Sequence, residues 1–458
     1  MKILSSYIES LSSQSFAKHS LIEIKEWIKD SNTKINVELN QGPLSQLESW
    51  NYSPLKVSHD SGRFFSIDGL RVRGLVNEKK VEWDQPIINQ PEHGYLGIIV
   101  REFNGVLHFL LQAKIEPGNV NKVQLSPTIQ ATKSNFSRVH KGKSPDYLDE
   151  FINPNPHSIL VDQLQTEQGS RFLRKRNRNV IIYSESVESL DEKFKWLTMW
   201  QIQQMMREDN VVNMDTRTVL SCMPFQFTQN HLSHLRSASV KELIAENSLF
   251  SNTSVNSNEF ILNWLTKKKL ECDILVESIP LIELKKWNIN MNEISHEDKK
   301  FFSVIGVNVS IENREVTRWS QPMIKPSDKG LIGLGYCLID SVPHFLVRAK
   351  FEIGSFDKIE FAPSIQTSLS NLGSDDNWVL ELFRTGKKVF SVFQSEEGGR
   401  FYHEENLNEL YEIPFVELDK YDSNFQWMTY RQIHQLMSFS GLVNIQLRTI
   451  LSMIQSGL

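Results

Sequence analysis

The chain reads as an α+β protein built from two tandem copies of one unit, and three observations lead there. Apolar residues recur with a period of two in some segments and with a helical period in others. The stretch His108 to Asn135, HFLLQAKIEPGNVNKVQLSPTIQATKSN, returns as His344 to Asn371, HFLVRAKFEIGSFDKIEFAPSIQTSLSN. From Trp83 to Asn135 a constant offset aligns the copies without a gap, with about 20 of 53 positions identical, far beyond chance. Two large units, rather than a solenoid of small ones, divide the chain into a module at 1–225 and a module at 226–458.

Taken in order, residues from about Ser6 to Asp30 read as helix, with Leu21, Ile22, Ile24, Trp27 and Ile28 on one side. A polar stretch from Ser31 to Pro54 separates it from GRFFSIDGLRVRGL, which alternates as strand around a turn-like Asp68-Gly69. WDQPIINQPEHGYLGIIV leads into a third strand, and Asn104-Gly105 is a hairpin turn into the central stretch. There Phe109, Leu111, Ala113 and Ile115 point one way, and His108, Leu110, Gln112, Lys114 and Glu116 the other. Pro117-Gly118-Asn119 breaks this strand. The next run puts Val123 and Leu125 on an apolar face and Gln124, Ser126, Thr128, Gln130 and Thr132 on a polar one. Residues 136–156 read as loop. SILVDQLQTEQGSRFLRKRNRNVIIY mixes helix and strand, FKWLTMWQIQQMMRE reads as helix, and DTRTVLSCMP as a short one ended by Pro224. Gln226 to Asn258, rich in Ser, Asn, Gln and His, reads as the connection between modules. ILNWLTKKKLECDILVESIPLIELKKW reads as helical, and the first half is then replayed. FFSVIGVNV repeats FFSIDGLRV, WSQP repeats WDQP, GGRF repeats GSRF, and NIQLRTILS repeats NMDTRTVLS.

Length and composition narrow the class. The 458 residues can bury two or three cores, and a formal charge of -5 is small for that length. Nothing global points to nucleic acid or a membrane surface. Cys222, Cys272 and Cys337 stand far apart, which argues against a disulfide framework or structural zinc. The N-terminus, MKILSSYIESLSSQSF, is too polar for a signal peptide, and no apolar run approaches about 18 residues. A cytoplasmic protein is the expectation. Nucleotide signatures fail: GLIGLG at Gly330 has the wrong spacing for a dinucleotide turn, and Lys141-Gly142-Lys143 has no P-loop spacing. GxSxG, HExxH and clustered carboxylates with metal spacing are absent from the sequence, so no metal is expected.

The copies differ in an informative way. RFLRKRNR, from Arg171, concentrates five cations in eight residues, where the C-terminal RFYHEEN keeps only the first. This is either a solvated strand edge or a cationic cradle for a diphosphate. Gln112, Asn119, Asn121, Gln124 and Ser126 become Arg348, Ser355, Asp357, Glu360 and Ala362 in the second copy. A neutral, hydrogen-bonding pocket with a cationic rim in the first copy places chemistry there, with the second copy as scaffold or binder. Trp83 and Trp319 precede identical Gln-Pro pairs and serve either to stack on a base or as core. His108 and His344 read as structural. Lys114 and Glu116, ~7 Å apart on one strand face, are either enolate stabiliser and base or a salt bridge kept for folding.

WDQPI, GYLG, the central stretch, QGSRFLRKRNRN and REDNVVNMDTRTVLSC together resemble the nucleotide-diphospho-4-keto-6-deoxyhexose 2,3-dehydratases of deoxysugar pathways. The resemblance covers nearly the whole chain. It implies tandem Nudix-like modules, each a mixed sheet flanked by helices, without the metal-binding REXXEE box, and a homodimer. It implies a substrate such as dTDP-4-keto-6-deoxyglucose, no redox cofactor, and a 3,4-diketo-2,6-dideoxy product passed to a 3-ketoreductase. The expected catalytic groups are Lys114, Glu116 and Gln124. Expected substrate contacts are Trp83, Gln85, Gln112, Asn119, Asn121, Ser126, Thr128, Gln130, Asn135, Arg171, Arg174, Arg176 and Trp319. The alternative is a non-catalytic sugar-nucleotide binding protein on the same paired modules.

Overall fold

Asn104 and Gly105 both take positive φ, 53° and 82°, the geometry that suits a two-residue hairpin. They join the strands Gly94–Phe103 and Val106–Ile115 antiparallel, paired from Ile99↔Leu110 to Phe103↔Val106. Beyond Leu110 the two strands splay, and the following segment fills the fork. Val123–Ser126 pairs with the second strand and Ile129–Ala131 with the first. Thr128 stitches the crotch: its hydroxyl accepts from the Ile99 N–H at 3.0 Å and donates to the Leu110 carbonyl. Ser364 makes the same pair of bonds to Gly335 and Leu346 in the second copy. The computed structural model describes residues 2–12, 16–76, 79–132, 145–188, 191–223, 251, 253–312, 316–373, 377–418 and 422–454.

Arg176–Tyr183 runs parallel to Gly94–Phe103, with Ile159–Thr166 antiparallel outside it and Phe194–Thr198 on the far side. The result is a seven-stranded mixed sheet, and the second copy repeats it around Gly330–Ile339 and Val342–Phe351. The molecule is thus mixed α+β, with two repeated sheet-rich halves.

Several elements differ from the sequence expectation. The first helix is two, Lys2–Ser12 and Leu21–Lys34, the second opened by a capping box between Ser20 and Glu23. The segment from Ser158 to Tyr183 forms two antiparallel strands, Ile159–Thr166 and Arg176–Tyr183, rather than a helix–strand mixture. FKWLTMWQIQQMMRE starts as the strand Phe194–Thr198, and Thr198 then caps the helix Met199–Met206. The helix expected after the connection stops at Leu270, and Asp273–Ile279 is strand. Asp68-Gly69 is not a turn but part of the strand Ser66–Val76, where a Cβ on Gly69 would lie 2.6 Å from the Ile279 carbonyl. Within the expected 136–156 loop, Leu148–Ile152 is a short helix. Residues 136–144 of that loop and most of the 226–258 connection lie outside the described residues.

Two five-stranded sheets tie the halves together by exchanging strands. Val37–Gly42, inside the polar stretch from Ser31 to Pro54, pairs with Phe302–Ile311 of the other half. Asp273–Ile279 reciprocally pairs with Ser66–Val76. Trp50, Phe65 and Phe172 share one core with Trp287, Phe302 and Phe401. The GSRF and GGRF loops also cross over. Gly118 N–H donates to the Gly398 carbonyl at 2.7 Å, and Gly354 N–H to the Gly169 carbonyl at 2.6 Å. The repeated Trp-x-Gln motifs brace these loops: Trp83 donates to Gln85, whose amide donates to the Ser170 carbonyl at 3.0 Å. Trp319, Gln321 and the Gly399 carbonyl form the same relay. No helix among the described residues is long and apolar enough to cross a membrane.

Candidate active site

A cavity of about 560 Å³ opens where the first copy's fork meets the second copy's crossing loop. Gln112, Lys114, Glu116 and Gln130 come from the fork; Glu167, Lys175 and Asn177 come from the neighbouring strands and the loop between them. Asp215 enters from the helix Met214–Ser221. The other half contributes Glu397, Gly399, Arg400, Trp319 and Gln321. An apolar wall of Trp50, Phe64, Phe65 and Phe172 lines another part.

One helix cap positions much of this. Asn213 turns its Oδ1 to the Thr216 N–H at 2.8 Å, closing the N-terminus of Met214–Ser221. Its Nδ2 donates to Ser126 Oγ at 2.9 Å and to Gln130 Oε1 at 3.1 Å. Gln130 Nε2 in turn donates to Glu116 Oε1 at 3.0 Å, fixing the carboxylate, and Lys114 Nζ stands 3.4 Å from the same oxygen. Glu116 is 8% exposed and Asp215 3%. Glu167 accepts from Asn177 Nδ2 at 2.6 Å, and Glu397 accepts from the Gly399 N–H at 2.9 Å.

Four carboxyl groups and three cations thus share one buried space, and burial disfavours every charge in it. Burial, then the charges of Glu167, Glu397 and Glu116, hold the Asp215 carboxyl well above the usual range, against the pull of Lys114. Burial and Glu116 push Glu397 up to about 7, with Arg400 opposing. Glu167 is raised by burial despite Lys175, and the same burial brings Lys175 down to about 8. Among the described residues no set of three or more His, Cys, Asp or Glu side chains is arranged to hold a metal ion.

The second copy keeps the cap chain and loses the rest. Asn444, Gln366, Glu352 and Lys350 repeat the relay, with Lys350 Nζ 3.1 Å from Glu352. Glu352 Oε2, however, accepts from the Gly169 N–H at 2.9 Å. Gln446 stands where Asp215 does and donates to Glu396, which also accepts from Gln168 and Asn406.

Of the residues singled out in the sequence, Lys114, Glu116, Gln112, Gln130, Thr128 and Trp319 line the cavity. The others lie elsewhere in the fold. Gln124 is fully buried and exchanges hydrogen bonds with Ser395 across the halves. Ser126 is bound by Asn213, Asn119 bridges its own turn to Lys122, and Asn121 clips the Asp209 carbonyl. Trp83 packs on Phe351 of the other half, with Gln85 beneath it. The cationic run also faces the second copy. Arg171 lies over Phe302, Arg176 over Phe356, and the Arg174 N–H donates to Gly354. Asn135 lies outside the described residues. Ser126, Asn119 and Asn121 are spent on bonds within their own half, whereas Gln124, Trp83 and the three arginines pack against the other half.

Sequence reasoning did not single out Glu167, Asp215, Glu397 or Arg400, and it counted Lys175 only within the cationic run. A signal existed in the repeat, since Asp215, Lys175 and Gln168 align with Gln446, Glu404 and Glu397.

The sequence model of the NDP-hexose 2,3-dehydratase family matches residues 21–223 and again 258–454, one match for each half. A dTDP-4-dehydro-6-deoxy-alpha-D-glucopyranose 2,3-dehydratase of Saccharopolyspora spinosa is 39% identical over 440 residues, covering 94% of this chain and 90% of its own. Proteins of the same name from Streptomyces violaceoruber and Amycolatopsis orientalis are 37% and 36% identical, covering 94% and 95% of this chain and 96% and 90% of theirs.

Proposed function

Since the chain belongs to the NDP-hexose 2,3-dehydratase family, we propose that its first-copy cavity binds a 4-keto-6-deoxyhexose carried on a nucleoside diphosphate, dTDP-4-keto-6-deoxyglucose being the type, and removes water across carbons 2 and 3. The observation that supports this reading is the fixed pair Lys114 and Glu116 at the cavity floor. The ketone at carbon 4 acidifies the hydrogen on carbon 3. Glu116 takes that proton, and the electron pair moves onto the carbon 4 oxygen, where the Lys114 ammonium offsets the growing charge. The enolate collapses, a double bond forms between carbons 2 and 3, and the hydroxyl leaves carbon 2 as water with a proton from an acid. Tautomerisation of the resulting enol gives the 3,4-diketo-2,6-dideoxy sugar. Lys175 and Arg400 are the cations we assign to the diphosphate. The forked sheet is the part we read as Nudix-like, and a homodimer remains the assembly the resemblance implies.

The test couples the reaction to a 3-ketoreductase and compares two substitutions. Glu116→Gln keeps volume but removes the base, and should lower turnover by about two orders of magnitude or more. Glu352→Gln in the second copy should cost less than about tenfold. The reverse ranking would move the active site to the second copy, and equal small losses would make both Lys–Glu pairs structural. Exhaustive chelation should leave the rate unchanged; a loss restored by magnesium would overturn the sequence of steps above.

A further inference from the structure

The proposed reaction needs a proton for the departing hydroxyl, and Glu116 arrives at that step already holding the one it removed. Another group must carry the second. Asp215 is the second residue of the helix Met214–Ser221, two positions after the cap that holds Gln130 and, through it, Glu116. It lines the cavity, is 3% exposed, and its Oδ1 is buried without a hydrogen-bond partner. An ionised carboxylate with an unmet oxygen in such a place is costly, and a neutral acid awaiting a ligand oxygen costs less. The second copy, which has the base and lysine equivalents, carries Gln446 here, and its amide closes the space by donating to Glu396 at 2.9 Å. The amide at this place has no proton to transfer.

We propose that Asp215 is a catalytic acid of this site, handing its proton to the hydroxyl that leaves carbon 2 of the bound sugar; this rests on the dehydratase reading above. The step balances. The carbon 2–oxygen bond breaks, its electron pair stays with oxygen, the Asp215 proton completes a water molecule, and the enolate pair becomes the new double bond. Asp215 ends as carboxylate and Glu116 as acid. The enol oxygen then gives up its proton as carbon 2 gains one, and a proton passing from Glu116 to Asp215 restores the start. The groups facing Asp215 favour its protonated form. Burial is the main cause, and Glu167, Glu397 and Glu116 add to it against Lys114, as when an apolar site keeps a carboxylic acid neutral for donation.

The experiment uses the full-length protein with Asp215→Asn and three readouts. Dehydration of dTDP-4-keto-6-deoxyglucose should fall ~10²–10⁴-fold, the worth of one placed acid. Exchange of the carbon 3 hydrogen with solvent deuterium, followed by NMR, should persist, because the base is intact. With the 2-deoxy-2-fluoro analogue, whose fluoride leaves without a proton, the variant should release fluoride within about threefold of wild type. That last result also shows the variant folded. Dehydration within threefold of wild type overturns the proposal. So does joint loss of carbon 3 exchange and fluoride release when circular dichroism is unchanged. A wild-type protein that neither exchanges nor dehydrates would instead sink the dehydratase reading itself, and Asp215 with it.

Discussion

Glu397 shows how burial sets the pH behaviour of single residues here. Folded, it keeps a proton up to about 7, whereas an unfolded glutamate releases one near ~4.3. Between those values the unfolded chain has lost a proton that the folded chain keeps. Its stabilising contribution is therefore complete below the unfolded value and is lost as pH rises through about 7. Glu396, raised by burial to about 8, acts in the same sense. His108 and His434, held neutral by burial down to about 4, act in the opposite sense, an effect that fades as pH rises through ~6.5. Melting temperature should accordingly fall between pH 6.5 and 8.5, and Glu397→Gln should make the fall shallower. A flat or rising profile in the wild type would mean that these acids are ionised throughout. Lys114, Glu116 and Gln130 were legible because they recur at matching places in both copies. Asp215 and Glu397 were not, because each is an acid aligned with an amide, and only the fold shows which of the two faces the cavity.

Among the elements, the central hairpin was readable because its signal is local: a turn dipeptide flanked by alternating residues. The strand Phe194–Thr198 was not, since WLTMWQI satisfies helical and extended spacing alike. What decides it is pairing with Val106–Ile115, eighty or more residues away. Asp273–Ile279 was missed for the same reason, its partner lying in the other half. The crossing loops offer a sharp test of how closely these elements approach. A Cβ on Gly118 would lie 1.6 Å from the Phe401 carbonyl oxygen. Gly118→Ala must therefore displace the loop that carries Glu397 and Arg400. It should cost at least ~2 kcal/mol in urea unfolding and most of the activity. Gly373→Ala, with nothing nearer than 3.8 Å, should stay within ~0.5 kcal/mol of wild type. Similar effects from the two substitutions would mean that the loop is loosely held.

At the scale of the whole molecule, the tandem duplication was plain in the sequence, but the exchange of strands between the copies was not. Periodicity marks a strand and is silent about its partner. Buried arginines reinforce the exchange: Arg217 donates to the Ser395 carbonyl and Arg448 to the Thr166 carbonyl, both at 2.6 Å. The halves should therefore hold together without a continuous chain. If a protease site is introduced near residue 240 and cut, the nicked protein should elute at its uncut mass and keep activity. Separation of the fragments under native conditions would show that the interlocking contacts are weak.

The interlock has a consequence on the ribosome. Val37–Gly42 emerges early, yet its partner Phe302–Ile311 is made roughly 13–50 s later, at synthesis rates of about 5–20 residues per second. Throughout that interval Val37–Gly42 exposes unpaired strand edges, since every other strand of its sheet belongs to the second half, and the cavity lacks the glutamate and arginine that the unmade half supplies. An edge of that kind is a template for wrong pairing. Cells that make this protein must shield it from aggregation while its chemistry is still unavailable, and a truncated transcript would yield sticky fragments rather than a smaller enzyme.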